Sequence, residues 1–219
     1  MTLKLYFAPG ACSFVPHVLL EASGEPYEPS MVKIHKKENY EPAYLAINPR
    51  SQVPVLADGG EVITQIVAIA TYLNDRFPQM AFLPREPLAR ARVLETLAWM
   101  NNTVHPTFTH YFMPFKFAGD EAVHGELKSH AVQLYRGMLA ELDAMVAAAD
   151  ARGQAFLGGE HLGPLDPYAL TLLRWGTIAG IDPQDYPRLW AFVQRIALLP
   201  PVARAIERER LQLSFYKPA

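Results

Sequence analysis

The sequence contains a single cysteine, Cys12, among its 219 residues. One cysteine cannot form an intramolecular disulfide, and it leaves a structural zinc site without its usual ligands. No basic run alternates with aromatic residues and the formal net charge is −2, so the sequence offers no electrostatic footprint for nucleic acid. No apolar stretch reaches the ~18 residues of a membrane-spanning helix, so we expect no membrane partner.

Other signals are absent as well. The N-terminal residues lack the long apolar core of a secretory signal, and with the single cysteine this indicates a cytoplasmic protein. No HExxH motif or Walker-type loop is present and the histidines show no metal-ligand spacing, so we expect no metal cofactor. The composition, 50% hydrophobic and 19% charged residues, is typical of a globular protein.

The chain changes character near residue 78. Before it, strand-like runs alternate with helical runs in the order β-α-β-α-β-β-α, and Asp58-Gly59-Gly60 joins the last two strands as a hairpin. This pattern predicts an α/β domain with a mixed four-stranded sheet covered by helices. The predicted strands cover residues 3–7, 27–34, 53–56 and 61–63, and the predicted helices cover 16–22, 39–47 and 65–77.

After residue 78 the pattern is helical. Residues 79–87 are rich in proline and are predicted to be a linker. One long amphipathic run covers 88–112, and Pro106 should kink it. Further helices are predicted over 121–151, 167–179, 187–199 and 201–210. We therefore predict two domains, 1–78 and an all-α bundle of 88–219.

Cys12 is the first candidate for chemistry. It follows a strand and a Pro-Gly loop and precedes a helix, whose free N–H groups and dipole would lower the pKa of the thiol. The alternative is a small buried hydrophobic residue. Ser13 is either a helix cap or a hydrogen-bond donor to a bound thiolate, and Tyr6 is a rival hydroxyl or an ordinary strand residue.

Three further segments have both a functional and a structural interpretation. A cis Val53-Pro54 bond would free the Val53 backbone to pair with an extended peptide, whereas a trans bond would make Pro54 an ordinary edge proline. The amides at Gln65-Ile66 can hold a carboxylate, or Thr64 can be a cap followed by a core-facing Ile66. His105 at the Pro106 kink can donate to a thiolate or be a structural histidine.

These residues together resemble the bacterial beta class of glutathione transferases. The similarity covers essentially the whole chain and includes Val104-His105-Pro106 and Asp166. Its strongest motifs are Tyr6-Phe7-Ala8-Pro9-Gly10-Ala11-Cys12-Ser13 with Pro16-His17, Leu45-Ala46-Ile47-Asn48-Pro49 with Gln52-Val53-Pro54-Val55-Leu56, and Thr64-Gln65 with Val67-Ala68-Ile69 and Tyr72-Leu73.

The resemblance implies a thioredoxin-like N-terminal domain, a helical C-terminal domain, a homodimer, and glutathione bound as co-substrate between the domains. It implies that Cys12 faces the glutathione sulfur, that Val53 pairs with the cysteinyl backbone, and that His105 approaches the thiol. The set of residues implied to be catalytic is Cys12, Ser13 and His105, and the set implied to bind glutathione is Lys37, Gln52, Val53, Pro54, Gln65 and Ile66.

Three positions depart from the family pattern. Ile66 stands where a small residue is usual, and its branched side chain would crowd a carboxylate and weaken glutathione binding by roughly 1–3 kcal/mol. Pro106 stands where many members have lysine. Gly163 replaces the Ser or Thr of a capping box with Asp166; either Gly163 is the cap, or Asp166 is the cap and Pro167 the first helical residue.

The function expected from these observations is attack of the glutathione thiolate on a small electrophile, thiol–disulfide exchange through Cys12, or both. A glutathione-dependent isomerase or dehalogenase is a less favoured variant. The alternative is a non-catalytic binding protein on the same fold, which Ile66 favours. Aromatic residues would form either an electrophile pocket or the core of the domain interface: Phe108, Tyr111, Phe112, Phe115 and Phe117.

Overall fold

The computed structural model describes residues 2–218. Its N-terminal part holds a four-stranded sheet in the order β2-β1-β3-β4. β1 pairs with β2 in parallel, and β3 lies antiparallel to both β1 and β4. The predicted mixed sheet and its hairpin are therefore confirmed. The strands are β1 (Leu3–Phe7), β2 (Tyr27–Met31), β3 (Val55–Asp58) and β4 (Glu61–Thr64).

The helices that cover this sheet are α1 (Phe14–Ser23), α2 (Pro42–Leu45) and α3 (Ile66–Arg76). α1 begins two residues earlier than predicted, because Pro16 lies in its first turn, where a missing N–H costs no helical hydrogen bond. Gly24 ends α1 in the left-handed conformation with φ of 72°. The helix predicted over 39–47 is divided into a 3-10 turn at Glu38–Tyr40 and the short α2.

The remainder of the described chain is helical, as predicted. Proline opens three of these helices, where its fixed φ suits the first turn. α7 is the central helix of this half, since all of its residues from Leu165 to Thr177 are buried. The helices are α4 (Pro87–Trp99), α5 (His105–Phe112), α6 (His124–Ala151), α7 (Leu165–Ile178), α8 (Pro187–Ala197) and α9 (Pro200–Glu209).

The run predicted as one kinked helix over 88–112 is two helices joined by a π turn. Residues Met100–Val104 form this turn, and the N–H of His105 closes it on the carbonyl of Met100. Pro106 has no N–H to continue the ordinary ladder, and a π turn is one way in which a helix absorbs that loss. The predicted interruption of the helix near Pro106 is confirmed. It takes the form of a π turn that changes the helical register between α4 and α5.

No single helix in residues 2–218 is long and apolar enough to cross a membrane. α8 and α9 together reach the length and apolar composition of a membrane-spanning segment, but a bend of 88° separates them. Their apolar side chains are core residues, among them Leu189, Phe192 and Val202.

The start of α7 resolves the capping alternatives left open by the sequence. The Asp166 carboxylate accepts from the Gly163 N–H at 2.8 Å and from the Leu157 N–H at 2.9 Å, and the helix begins before Asp166. Asp166 therefore reaches back to Gly163, as the acidic residue of a capping box does. A Cβ at position 163 would lie 2.7 Å from the carbonyl oxygen of Phe82, so the close chain approach explains why glycine stands here.

We predict that Asp166→Ala lowers the free energy of unfolding by about 2–5 kcal/mol, because two N–H groups lose their acceptor inside the protein. The measurement is urea unfolding followed by circular dichroism. Asp120→Ala is the control, since the Asp120 carboxylate accepts from a single exposed amide, that of Ala122. Equal losses in the two variants would contradict the assigned role of Asp166.

Candidate active site

Cys12 lies in the loop between β1 and α1, with its side chain 7% exposed. Its thiol donates to the carbonyl oxygen of Val53, with 3.6 Å between sulfur and oxygen. Burial raises the pKa of the thiol to about 12, although the backbone N–H groups of Cys12 and Ser13 lower it. The expected fall in thiol pKa at the helix start is therefore wrong for the free protein, because desolvation outweighs the amides.

Ser13 has a different role from the catalytic one expected. Its side chain is 0% exposed, and its hydroxyl accepts from the Ala8 N–H at 3.1 Å and donates to the Ala8 carbonyl at 3.2 Å. Because both hydrogen bonds close the loop on itself, the hydroxyl is not free to approach a bound sulfur. The structure assigns Ser13 to the shape of the loop that carries Cys12.

The Val53-Pro54 peptide bond is cis. Gln52, immediately before this dipeptide, is fixed by two hydrogen bonds. The Tyr44 hydroxyl and the Asn48 amide both donate to the Gln52 carbonyl, at 2.7 and 2.8 Å. Within residues 2–218 the Val53 N–H has no hydrogen-bond partner. The Val53 carbonyl therefore lies beside the Cys12 thiol, on a segment fixed by buried side chains.

The N-terminus of α3 provides a second group of open backbone donors. Gln65, immediately before α3, has φ of 73° and ψ of 128° and an exposed side chain. A non-glycine residue in this conformation is strained, and such strain is concentrated at functional sites. The Ile66 and Val67 N–H groups have no partner in the described chain, which suits them to a carboxylate.

The side chain of Ile66 does not obstruct this helix start. It is 2% exposed and belongs to the hydrophobic core between the sheet and its helices. The expectation that it crowds a carboxylate is therefore wrong and Ile66 faces the core, but Thr64 is not the cap: Gln65 occupies that position and makes no side-chain cap hydrogen bond. The branched side chain of Ile66 packs in the core, while its N–H has no partner in the described chain.

The helical half contributes His105, at the start of α5. Its Nδ1 lies 3.0 Å from the Tyr168 hydroxyl, and its ring centroid lies 4.7 Å from that of Trp175. Burial lowers the pKa of His105 to about 4. The imidazole is therefore neutral near pH 7.

Gly10 connects the two halves. Its N–H donates to Glu209 Oε2 at 2.8 Å, and its carbonyl accepts from Trp175 Nε1 at 2.8 Å. Glu209 Oε1 lies 2.6 Å from His17 Nδ1, with both side chains fully buried. Gly10 has φ of 70°, and a Cβ there would collide with Arg174 at 2.6 Å. The loop that carries Cys12 is thus fixed by α7 and by the end of α9.

The remaining predicted residues are Lys37 and the candidate aromatic residues. Lys37 is exposed and left-handed, with φ of 61°, between two 3-10 turns. Of the candidate aromatic residues, Phe108 is buried and stacks on Trp175 with centroids 5.0 Å apart, and Tyr111 packs partly buried against the core. The other three are exposed: Phe112, Phe115 and Phe117.

Several supporting residues were not identified from the sequence. Glu209 lies in a charged run that resembles a solvated helix end, yet its spacing from Val202, Ala205 and Ile206 places it on the apolar stripe of α9. That spacing is the sequence signal from which the burial of Glu209 could have been predicted. Trp175 has the pattern of an ordinary core residue, and nothing in the sequence indicates that its indole N–H reaches Gly10.

Residues 2–218 contain no group of three or more His, Cys, Asp or Glu side chains arranged to hold a metal ion. The polar groups described above are instead backbone amides and carbonyls, one thiol and one imidazole. Such a set can bind a peptide-like ligand along its backbone and hold a sulfur atom beside Cys12.

Comparison with known proteins agrees with this geometry. The pattern of the glutathione S-transferase N-terminal domain matches residues 1–75. Glutathione S-transferase GstA of Escherichia coli O157:H7 is 30% identical over 96% of this chain and 100% of its own length. A sphingomonad glutathione S-transferase solved with glutathione is 32% identical, with a TM-score of 0.81 over 95% of this chain and 100% of that one.

A second solved structure, a bacterial beta class glutathione S-transferase from Sphingomonas chungbukensis, is 30% identical. Its TM-score is 0.81, over 95% of this chain and 100% of its own. Both similarities span the sheet and the helical half together.

We predict that Gln65→Gly is more stable than Gln65→Ala by about 1 kcal/mol. Both variants lose the side chain, but a positive φ at this position strains alanine and not glycine. Urea unfolding of the two variants measures the difference. Ala68 is the matched control because it is exposed within α3, where Ala→Gly should cost about 1 kcal/mol. An alanine variant at position 65 as stable as the glycine variant would show that the backbone is not strained.

Proposed function

The chain belongs to the glutathione S-transferase family, and from this membership and the site geometry we propose that it joins glutathione to small electrophiles between the sheet domain and the helical domain. The observation that carries the proposal is the contact of the Cys12 thiol with the Val53 carbonyl, together with the pairing of Val55 with Thr64, which brings the start of α3 beside the same cis-proline segment. The proposed domain boundaries are 1–78, 79–87 and 88–219.

In the proposed complex the tripeptide lies extended along the cis-proline segment. The Val53 N–H and C=O pair with the cysteinyl backbone, while the γ-glutamyl carboxylate binds at the Ile66 amide and Gln65. Lys37 and the Gln52–Pro54 segment complete the binding residues, with Lys37 directed to the glycyl carboxylate. Support comes from the unpartnered amides, the strained Gln65 and the solved relative that holds glutathione.

The proposed reaction begins with loss of the glutathione thiol proton to solvent. The thiolate then attacks the electrophilic carbon, a sulfur–carbon bond forms, and the leaving group departs with its bonding electrons. The site stabilises the thiolate by hydrogen bonds, and the Cys12 S–H is one such donor once it turns from Val53. Stabilisation in a desolvated site favours the reaction more than it would in water.

Conjugation is favoured over exchange through Cys12 by the protonation state of this thiol. Burial raises the pKa of the Cys12 thiol to about 12, so the thiol is protonated at pH 7. Thiol–disulfide exchange requires the Cys12 thiolate as the nucleophile. A donated S–H bond requires the protonated form, which is the dominant one.

The finer assignments are also proposals. We infer membership of the beta class, supported by the Sphingomonas chungbukensis relative. A homodimer, a cytoplasmic location and a role in detoxification follow from the family alone. The non-catalytic alternative depended on crowding by Ile66, and the buried position of that side chain leaves it without support.

We predict that Cys12→Ala lowers the conjugation rate with an aromatic chloride about tenfold, because one hydrogen bond to a charged sulfur is lost. Cys12→Ser keeps a donor and should recover most of the rate. For comparison, the rate of disulfide reduction by glutathione is measured for the wild type and for both variants. The readout is kcat/KM at saturating glutathione.

Two outcomes would contradict this assignment. If both variants lost disulfide reduction and kept full conjugation, Cys12 would be a nucleophile for exchange. If the wild-type protein conjugated no electrophile and gave no heat with glutathione in titration calorimetry, the proposed function would be wrong.

A further inference from the structure

The last described residues form a tail that lies against α7. Arg210 ends α9 in the left-handed conformation, with φ of 53°, in which the chain leaves the helix. Leu211 and Leu213 then pack, partly buried, against the core. We propose that this tail, residues 211–218, selects electrophiles that carry a flat aromatic ring, and that the ring stacks on Phe215. This inference rests on the proposed function.

Arg174 of α7 holds the tail in place. The residue is buried, and its Nε donates to the Gln212 carbonyl at 2.8 Å. Its guanidinium carbon lies 4.9 Å from the centroid of the Phe215 ring, within the range of a cation–π contact. One turn later on α7, the Thr177 hydroxyl accepts from the Phe215 N–H at 2.9 Å. Phe215 is therefore fixed through its ring and through its backbone.

The same arginine contacts the loop that carries Cys12. Arg174 Nη1 donates to the Gly10 carbonyl at 3.4 Å, and the neighbouring Trp175 donates to the same oxygen at 2.8 Å. The two contacts of Arg174, with the length of one C–N bond, place the Phe215 ring within about 10 Å of that oxygen. The tail therefore brings an aromatic ring close to the loop in which the thiol lies.

Aromatic side chains of α5 and of the tail meet the same end of α7. Trp175 stacks on Phe108 of α5 with centroids 5.0 Å apart, whereas the preceding arginine contacts Phe215 of the tail. At the last residue of α7, the Ile178 carbonyl accepts from the Tyr111 hydroxyl of α5 at 3.3 Å. The end of α7 thus carries an aromatic contact from each of two segments, and this surface continues from the Gly10 carbonyl.

Phe215 is held in place and yet remains open to a ligand. It is 44% exposed, and Ile178 at the end of α7 is 36% exposed. A planar ring in the electrophile would bury apolar area on this surface and would also stack on the phenyl ring. A small aliphatic electrophile has no ring to stack.

The consequence is that the tail distinguishes electrophiles and leaves glutathione binding unaffected. None of the residues proposed to bind glutathione belongs to residues 211–218. A contact with the ring of the electrophile is made before and during the attack of the sulfur, so its loss raises the KM for that electrophile and changes kcat little.

The test compares an aromatic and an aliphatic electrophile in the wild-type protein and in Phe215→Ala, at saturating glutathione. Chlorodinitrobenzene carries a flat ring, and iodoethane does not. For Phe215→Ala we expect the KM for chlorodinitrobenzene to rise about tenfold with little change in kcat, because the stacking surface is lost. The kcat/KM for iodoethane and the KM for glutathione should stay at their wild-type values.

Further variants separate the flat ring from apolar volume. Phe215→Tyr keeps the ring and should keep the wild-type KM for chlorodinitrobenzene, whereas Phe215→Leu keeps apolar volume without a ring and should resemble Phe215→Ala. Leu198→Ala is the control for loss of an exposed apolar side chain. Leu198 is 82% exposed between α8 and α9, at the opposite end of α9 from the tail, and its loss should change neither KM.

A shortened chain that ends at Leu213 tests the tail as a segment. It keeps the two leucines that pack on the core and loses Phe215, so its KM for chlorodinitrobenzene should match that of Phe215→Ala. Circular dichroism on heating checks that the shortened protein is folded.

Two results would overturn the inference and leave the proposed function standing. One is an unchanged KM for chlorodinitrobenzene in Phe215→Ala. The other is an equal loss of kcat/KM with both electrophiles, which would show a general disturbance of the site and no selection by the ring. If the wild-type protein conjugated neither electrophile, the proposed function would be wrong, and this inference with it.

Discussion

The hydrogen bonds of Gly10 hold the two halves of this protein in one site. The N–H binds Glu209 at the end of α9, and the carbonyl binds Trp175 in the middle of α7. All three groups are buried, so neither bond competes with water, and loss of either partner would leave a backbone group unsatisfied. Because Gly10 lies two residues before Cys12, the position of the thiol is set by the helical half as much as by the sheet.

In the rest of the site, buried side chains likewise fix segments whose backbone N–H groups are left unpaired. Asn39, Tyr44 and Asn48 bind the chain at Ser51 and Gln52 and leave the Val53 N–H free. The inward side chain of Ile66 anchors α3 while its amide stays open. The strained Gln65 lies between β4 and α3, which hold it on both sides. This division lets the site be polar and accessible without loosening the core.

The sequence predicted the architecture well because periodicity and turn residues report local structure directly. The mixed sheet, the hairpin at Gly59-Gly60 and the interruption near Pro106 all follow from such signals. It predicted the reactive region from Cys12, Val53 and Gln65. It left open which way Ile66 faces, and it could not predict that burial would raise the Cys12 pKa or that Ser13 would bond to Ala8, since these depend on contacts that only the folded chain makes. Glu209 and Trp175 were missed for the same reason.

We propose that glutathione binds against the cis-proline segment with its sulfur beside Cys12, at the junction held by Gly10. A crystal structure of the protein with glutathione tests this most directly. We expect the cysteinyl backbone to pair with Val53, the γ-glutamyl carboxylate to bind at the Ile66 amide and Gln65, and the sulfur to lie within about 4 Å of Cys12 Sγ, the reach of a sulfur hydrogen bond. Glutathione bound elsewhere, or with its sulfur directed away from both Cys12 and His105, would contradict it.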